Sequence, residues 1–209
     1  MKPLWTTLVM TPALLLAGGL EPVDLPAPQT NGGKPLMQVL HERKSSREFT
    51  SMKVAPQMLS NLLWAADGVN RPDGHRTAPS ALNSQEIEIY VVTADGLYLY
   101  EPKPHRLRAL SSEDLRAATG TQPFVKNAAL NLVYIADFAK LTEGSADEKT
   151  FYSAADAGFV SENVYLFCAS EGLATVVRGS VDRPALAKAL HLRPEQRIIL
   201  AQTVGYPKR

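Results

Sequence analysis

The chain has 209 residues, a formal net charge of +1 and 45% hydrophobic residues. That length and apolar content suit one domain with a full core, and the charge balance excludes the basic excess expected of a nucleic-acid binder or an anionic membrane surface. Its only cysteine, Cys168, excludes an internal disulfide, and its four histidines show no metal-ligand spacing.

The first segment reads as a targeting signal. Lys2 gives a positive start, Leu4 to Leu20 carries no charge, and Ala17-Gly18-Gly19 offers small residues for a peptidase, which predicts cleavage before Leu20. An uncleaved N-terminal membrane anchor is the alternative, although Pro12 and the glycine pair weaken a span of minimal length. Export to the periplasm or beyond follows from this reading, with no stable membrane association once residues 1–19 are removed. Residues 20–33, rich in Pro and Gly, read as a linker, and 34–209 as the folded domain.

Pro35 opens a predicted helix over 35–44. A second helix is expected from Pro56 to Asp67, with Leu59, Leu62, Leu63 and Ala66 at helical spacing and Gly68 beyond. Glu86 to Val92 predicts a strand, Asp95-Gly96 a hairpin, and 97–100 the return strand. Residues 106–110 suggest a third strand. A helix is expected near Ser111, with Asp114 as its capping partner. Leu130 to Ala136 reads as a buried strand. Phe159, Val160, Val164, Phe167 and Cys168 mark one face of a helix over 150–170. A short helix over 183–190 and a final strand over 198–204 complete the chain. Helices grouped around a hairpin-containing sheet indicate an α+β fold, and no Gly-x-Gly-x-x-Gly supports a dinucleotide-binding domain.

Two polar clusters about thirty-five residues apart carry the functional signal. Arg43-Lys44-Ser45-Ser46-Arg47 places three cations and two hydroxyls together after the first helix, a donor set that suits a dianionic phosphate. Pro79-Ser80-Ala81-Leu82-Asn83-Ser84-Gln85 is an amide-rich turn before a strand. Its Asn83 and Gln85 each donate and accept, which suits the edge of a flat heterocycle. A solvated helix end and an ordinary turn are the plain alternatives for each cluster alone. Together they suggest a mononucleotide-type cofactor.

The first cluster with Glu48-Phe49 resembles the phosphate motif of the FMN-dependent nitroreductase family, and Pro79-Ser80-x-x-Asn83-Ser84-Gln85 resembles its flavin-contacting turn. Gly172 to Gly179 resembles the segment passing the flavin N5, and Val204-Gly205-Tyr206-Pro207-Lys208 the closing strand. Arg76 ahead of the turn is similar to the exported, peptide-azoline dehydrogenase-like branch. The likeness runs in order from about Lys34 to Lys208.

The resemblance implies a nitroreductase-like fold, a central, mostly antiparallel sheet surrounded by helices. It implies a homodimer with FMN at the interface, NADH or NADPH as donor, and a nitroaromatic, quinone or similar acceptor. The flavin N5 would carry the chemistry, with no catalytic side chain. Arg43, Lys44, Ser45 and Arg47 would hold the phosphate, with Lys208 a second candidate. Pro79, Ser80, Asn83 and Gln85 would line the ring, with Gln122 near its edge. Arg178 would place charge near the pyrimidine end, and Gly179 would let backbone approach N5. A flavin-dependent dehydrogenase of a small or peptide substrate, or a flavin-binding protein without turnover, remain alternatives. Cys168, in an apolar helical run, reads as a core residue.

Overall fold

The computed structural model describes residues 20–208; the expected signal segment and Arg209 lie outside the described residues. The centre of the fold is a strand that needs two covered faces. Strand β5 (Leu130–Asp137) is buried at every position, which explains its uninterrupted apolar run. It lies between β2 (Ile87–Thr93) and β7 (Gln196–Gly205), antiparallel to both. The remaining strands are β1 (Val23–Asp24), β3 (Gly96–Glu101), β4 (Arg106–Ser111) and β6 (Ala174–Arg178). The sheet order is β1-β4-β3-β2-β5-β7-β6, and every pairing is antiparallel.

Because side chains alternate along a strand, the sheet sorts its apolar residues into two cores. Ile87, Ile89, Val91, Leu130, Leu132 and Tyr134 meet Leu62 and Leu63 of α2 (Pro56–Asp67) and Val160, Val164 and Cys168 of α3 (Ala146–Glu171). On the opposite face Tyr90, Val92, Val133 and Ile135 meet Leu186 of α4 (Arg183–Ala189), together with Leu190. Each fully buried leucine contributes about 1.5–3 kcal/mol, so the sheet is held from both sides. The remaining helix, α1 (Leu36–Glu42), buries only Val39.

The longest helix, α3, starts earlier than its apolar pattern indicates. Ser145 and Glu148 form a reciprocal capping box, and Gly172 ends the helix in a left-handed conformation at φ 73°. Phe159, expected on the inward face, is exposed, while Val160, Val164 and Cys168 of the same expected face are buried.

Two further expectations change. No α-helix begins near Ser111: β4 continues through it, and a 3-10 turn follows at Arg116–Thr119. The Asp114 carboxylate is taken by Arg116, bonding both its backbone N–H and its guanidinium, so it caps a turn. Within 20–33, read as a linker, Val23–Asp24 pairs with β4. The segment is also tied to α2, with Ser60 Oγ donating to Pro26 O at 2.6 Å and Gln29 N donating to Asn61 Oδ1 at 2.8 Å. Backbone groups that find partners in this way do not remain a free tether.

Candidate functional site

The basic cluster leaves α1 as extended chain and runs beside β6. Ser46 N donates to Thr175 O at 2.9 Å, and Phe49 bridges Pro207 at the end of the chain. One residue of α3 organises this meeting: Tyr165 Oη lies 2.8 Å from Ser45 Oγ and accepts from Val177 N at 2.9 Å. The Arg43 guanidinium sits over the Tyr165 ring, 5.2 Å from its centroid, and approaches Glu162 at 3.9 Å. Arg47 is exposed and, among the described residues, has no ion pair. The expected phosphate residues do not all share one side. Lys44 and Lys208 line a cleft of about 690 Å³ with Ser46, Glu48 and Tyr165, which Arg43, Ser45 and Arg47 do not line. Alternation along extended chain accounts for that division.

At the other end of β6, Arg178 is buried, only 4% exposed. Any charge that Arg178 places near the pyrimidine end, as the resemblance implies, would therefore act from within the fold. Arg178 donates to Thr203 Oγ1 at 3.1 Å, Thr119 O at 2.8 Å and Asn131 Oδ1 at 3.1 Å. None of the three is a carboxylate, and burial pushes the guanidinium down to about 10. Gly120 is what admits it, since a β-carbon there would run into Nη1.

The next residue, Gly179, is exposed, and among the described residues beyond its chain neighbours no atom lies within 4 Å of where its β-carbon would stand. The loops carrying Gln122 and Gly179 are stitched together, with Thr121 Oγ1 2.7 Å from Ser180 Oγ and Thr121 N donating to Ser180 O. Gln122 Oε1 is buried with no partner among the described residues, an acceptor that a bound donor would satisfy.

The amide-rich turn is strained. Leu82, Asn83 and Gln85 all have φ between 51° and 53°, which costs side-chain-bearing residues about 1–2 kcal/mol each. The strain is held by a closed set of bonds. Gln85 N donates to Ser80 Oγ at 3.0 Å, and Gln85 Nε2 reaches Gly74 O and Asn83 Oδ1. With the amides so assigned, Gln85 keeps Oε1 free as an acceptor and Asn83 keeps its Nδ2 donors. Pro79 is exposed and Ser80 half-buried beside them. Ala81 N donates to Asp156 Oδ2 of α3 at 2.9 Å. Arg76 points inward and pairs with buried Asp67.

Both half-sites thus hang on α3, the turn from Asp156 and the basic cluster from Tyr165. At 1.5 Å per residue these anchors stand about 13 Å apart along the helix axis. Sequence reasoning missed Tyr165, Asp156, Glu86 and Gly120. The two α3 anchors gave only the faint sign of polar groups on an apolar helical face.

The donor set fits a flavin mononucleotide: a free cation and hydroxyls for a phosphate, an amide donor and acceptor for a ring edge, an orphaned Gln122 oxygen, and open space at Gly179. Comparison with known proteins gives the family. The Nitroreductase family model matches residues 40–206. A protein solved from Ralstonia eutropha and described as a nitroreductase superposes with a TM-score of 0.87 at 41% identity, over 98% of this chain and 97% of that one. A protein of Methanocaldococcus jannaschii bearing the nitroreductase name is 36% identical over 155 residues, 69% of this chain and 78% of its own length. At 22% identity and a TM-score of 0.62, a Desulfovibrio desulfuricans structure solved in complex with FMN shares the fold, over 85% of this chain and 89% of that one. The chain belongs to the nitroreductase family.

Proposed function

We propose that the protein binds FMN between two copies of itself and passes reducing equivalents from NADH or NADPH to a nitroaromatic, quinone or similar acceptor. The observation that carries this reading is the Tyr165 hydroxyl. It ties the Ser45 end of the basic cluster to the β6 backbone at Val177, two residues before the open Gly179. A phosphate grip and a bare backbone edge are thereby fixed to each other by one group.

Arg43, Ser45 and Arg47 would hold the phosphate, Arg43 already oriented by the Tyr165 ring. Gly179 would let its backbone approach the ring, and Gln122 would accept from a ring donor through its orphaned oxygen. Asn83 and Gln85, from the partner subunit, would supply the facing donor and acceptor. Bound FMN supplies the hydride and electron chemistry. The protein contributes position and exclusion of water, and no side chain acts as a nucleophile. Burial pushes the Cys168 thiol far up, which keeps it inert.

Dimerisation rests on the apolar surface of α1 and α3. Leu36, Met37 and Leu40 on α1 and Phe159 on α3 are exposed, and a patch of this kind marks an interaction surface. We also propose export with removal of residues 1–19, which N-terminal sequencing of the mature protein tests.

Reconstitution with FMN tests the main reading. Flavin absorbance that survives desalting, at one FMN per subunit, is expected, together with turnover by NADH or NADPH. Retention of FAD instead, or of no flavin, overturns it. A yellow protein inert with both nicotinamides would be a flavin carrier.

A further inference from the structure

Strand β6 is the last of the sheet, so its outer edge is open. Along that edge backbone groups repeat every second residue. Thr175 O accepts from Ser46 N at 2.9 Å, and Val177 N donates to Tyr165 Oη at 2.9 Å. Gly179 is next in the series. Because the N–H and carbonyl of one strand residue face the same side, continued strand would put both of its groups on the open edge. Only the N–H is left there, with no partner among the described residues.

The Gly179 carbonyl is drawn elsewhere. It accepts from Val181 N at 3.0 Å and from Arg183 Nη1 at 3.3 Å. The same guanidinium donates through Nε to Ile198 O at 3.0 Å and through Nη2 to Ile199 O at 2.9 Å. Those two carbonyls belong to β7 beyond Ala201, where β6 has already ended at Arg178. Ile199 also sits at the register shift against β5, where a bulge leaves backbone groups unpaired. One planar fork therefore stands in for the missing strand and holds Gly179 O towards β7.

Helix chemistry does not account for Arg183. It is the first residue of α4, where a cation opposes the helix dipole. Asp182 is engaged as the cap, its Oδ1 accepting from Ala185 N at 3.1 Å. Every bond that Arg183 makes among the described residues goes to a backbone carbonyl. A rigid fork of donors suits that task, and a lysine would not.

We propose that Arg183 is a positioning residue that keeps the Gly179 carbonyl turned away from the open edge of β6, so that this edge offers a flavin ring donors only. The ligand rests on the FMN reading; the carbonyl clamp does not. A carbonyl left on the edge would face the ring's own acceptors and repel them. Turning it inward has a second effect, because in a trans peptide the N–H points opposite to the C=O. Ser180 N–H is thereby sent outward beside Gly179 N–H, and it too has no partner among the described residues. Ser180 O is held by Thr121 N at 3.3 Å, which fixes the far side of the loop.

The test compares wild type, Arg183→Met and Arg183→Lys by NMR on isotope-labelled protein. Without flavin, the Gly179 carbonyl carbon should move upfield in both variants, as it does when an acceptor loses a donor. With saturating FMN, exchange of the Gly179 and Ser180 amides in the wild type should slow by about tenfold, the order that one net hydrogen bond gives. Both variants should lose that slowing even when fully loaded, and should bind FMN about tenfold more weakly. If Arg183→Met fails to fold, Arg183→Lys carries the test alone.

Variants that only melt earlier, with wild-type slowing of both amides, would make Arg183 a prop for β7 and overturn the proposal. So would wild-type behaviour in Arg183→Lys, since charge alone would then suffice. If FMN fails to bind the wild type while the Gly179 carbonyl shifts in the variants, the flavin reading falls and the clamp stands. If FMN binds and that carbonyl does not move, the clamp falls and the flavin reading stands.

Discussion

The two ends of α3 solve the same problem differently. Near Tyr165 and β6, buried polar groups form a closed, mostly neutral network. Arg178 is met by Thr203, Thr119 and Asn131, Thr203 Oγ1 donates to Asn131 Oδ1 at 2.6 Å, and Gln202 reaches Ser161 O and Thr175 Oγ1. Near Asp156, the turn rests on a carboxylate that accepts the Ala81 N–H, beside buried Glu86 with one oxygen unpartnered among the described residues, and it holds three residues at positive φ. A closed network gives a rigid floor whose loss is felt as stability. An incomplete one under strained backbone gives a weaker support. The contrast divides the molecule into a rigid floor beside β6 and a strained turn over α3.

Breaking the rigid floor should have the largest effect. Arg178→Met leaves Thr119 O without its donor and removes the tie between β6, β7 and β5, so unfolding free energy should fall by about 2–4 kcal/mol in urea titrations. A loss below about 0.5 kcal/mol would show that the network is not what holds this end together.

Next is Arg47, which has no ion pair among the described residues. A guanidinium at a phosphate makes charge-assisted bonds worth about 1.5–3 kcal/mol, so Arg47→Ala should weaken FMN binding about 10- to 150-fold. Lys44→Ala should change affinity little, since Lys44 faces the cleft it shares with Lys208. Equal losses by equilibrium dialysis would place both residues on one phosphate. Wild-type affinity in Arg47→Ala would make the cluster only a solvated helix end.

Tyr165→Phe sharpens the comparison further, because it removes one hydroxyl and leaves the ring under Arg43. Val177 N loses its acceptor, at a cost of about 1–3 kcal/mol, and Ser45 loses its anchor. Melting temperature and FMN affinity should fall together. If only stability falls, Tyr165 supports β6 without organising the phosphate end.

The sequence made most of the fold legible where one force dominated. The continuous apolar run of β5, the hairpin at Asp95-Gly96 and the Pro-started α2 all follow local rules, and they stand where expected. The helix near Ser111 failed because Asp114 found Arg116 at close range, a competition that propensity does not weigh. Strand β1 was hidden because two residues carry no periodicity, and only the β4 edge makes them a strand. At the site, residues with charge or amide side chains were readable. Their supports were not: Tyr165 and Asp156 look like interruptions of an apolar helical face, and Gly120 has meaning only once Arg178 is seen pressed against it.

The smallest expected change in stability is at Gly179, and that smallness makes it informative. A glycine here has two explanations, a turn that needs positive φ or a surface that needs no side chain. The backbone removes the first, since Gly179 is not among the residues at positive φ. Among the described residues a β-carbon would also meet no atom within 4 Å, so none of them resists one. Gly179→Val should therefore melt within about 0.5 kcal/mol of the wild type, as surface substitutions do. If the bare backbone exists to let a flavin ring approach, the same variant should lose FMN affinity and reduce its remaining flavin several-fold more slowly, measured by stopped flow per flavin-loaded subunit. Unchanged affinity and rate in a stably folded variant would leave this edge of β6 with no role at the cofactor.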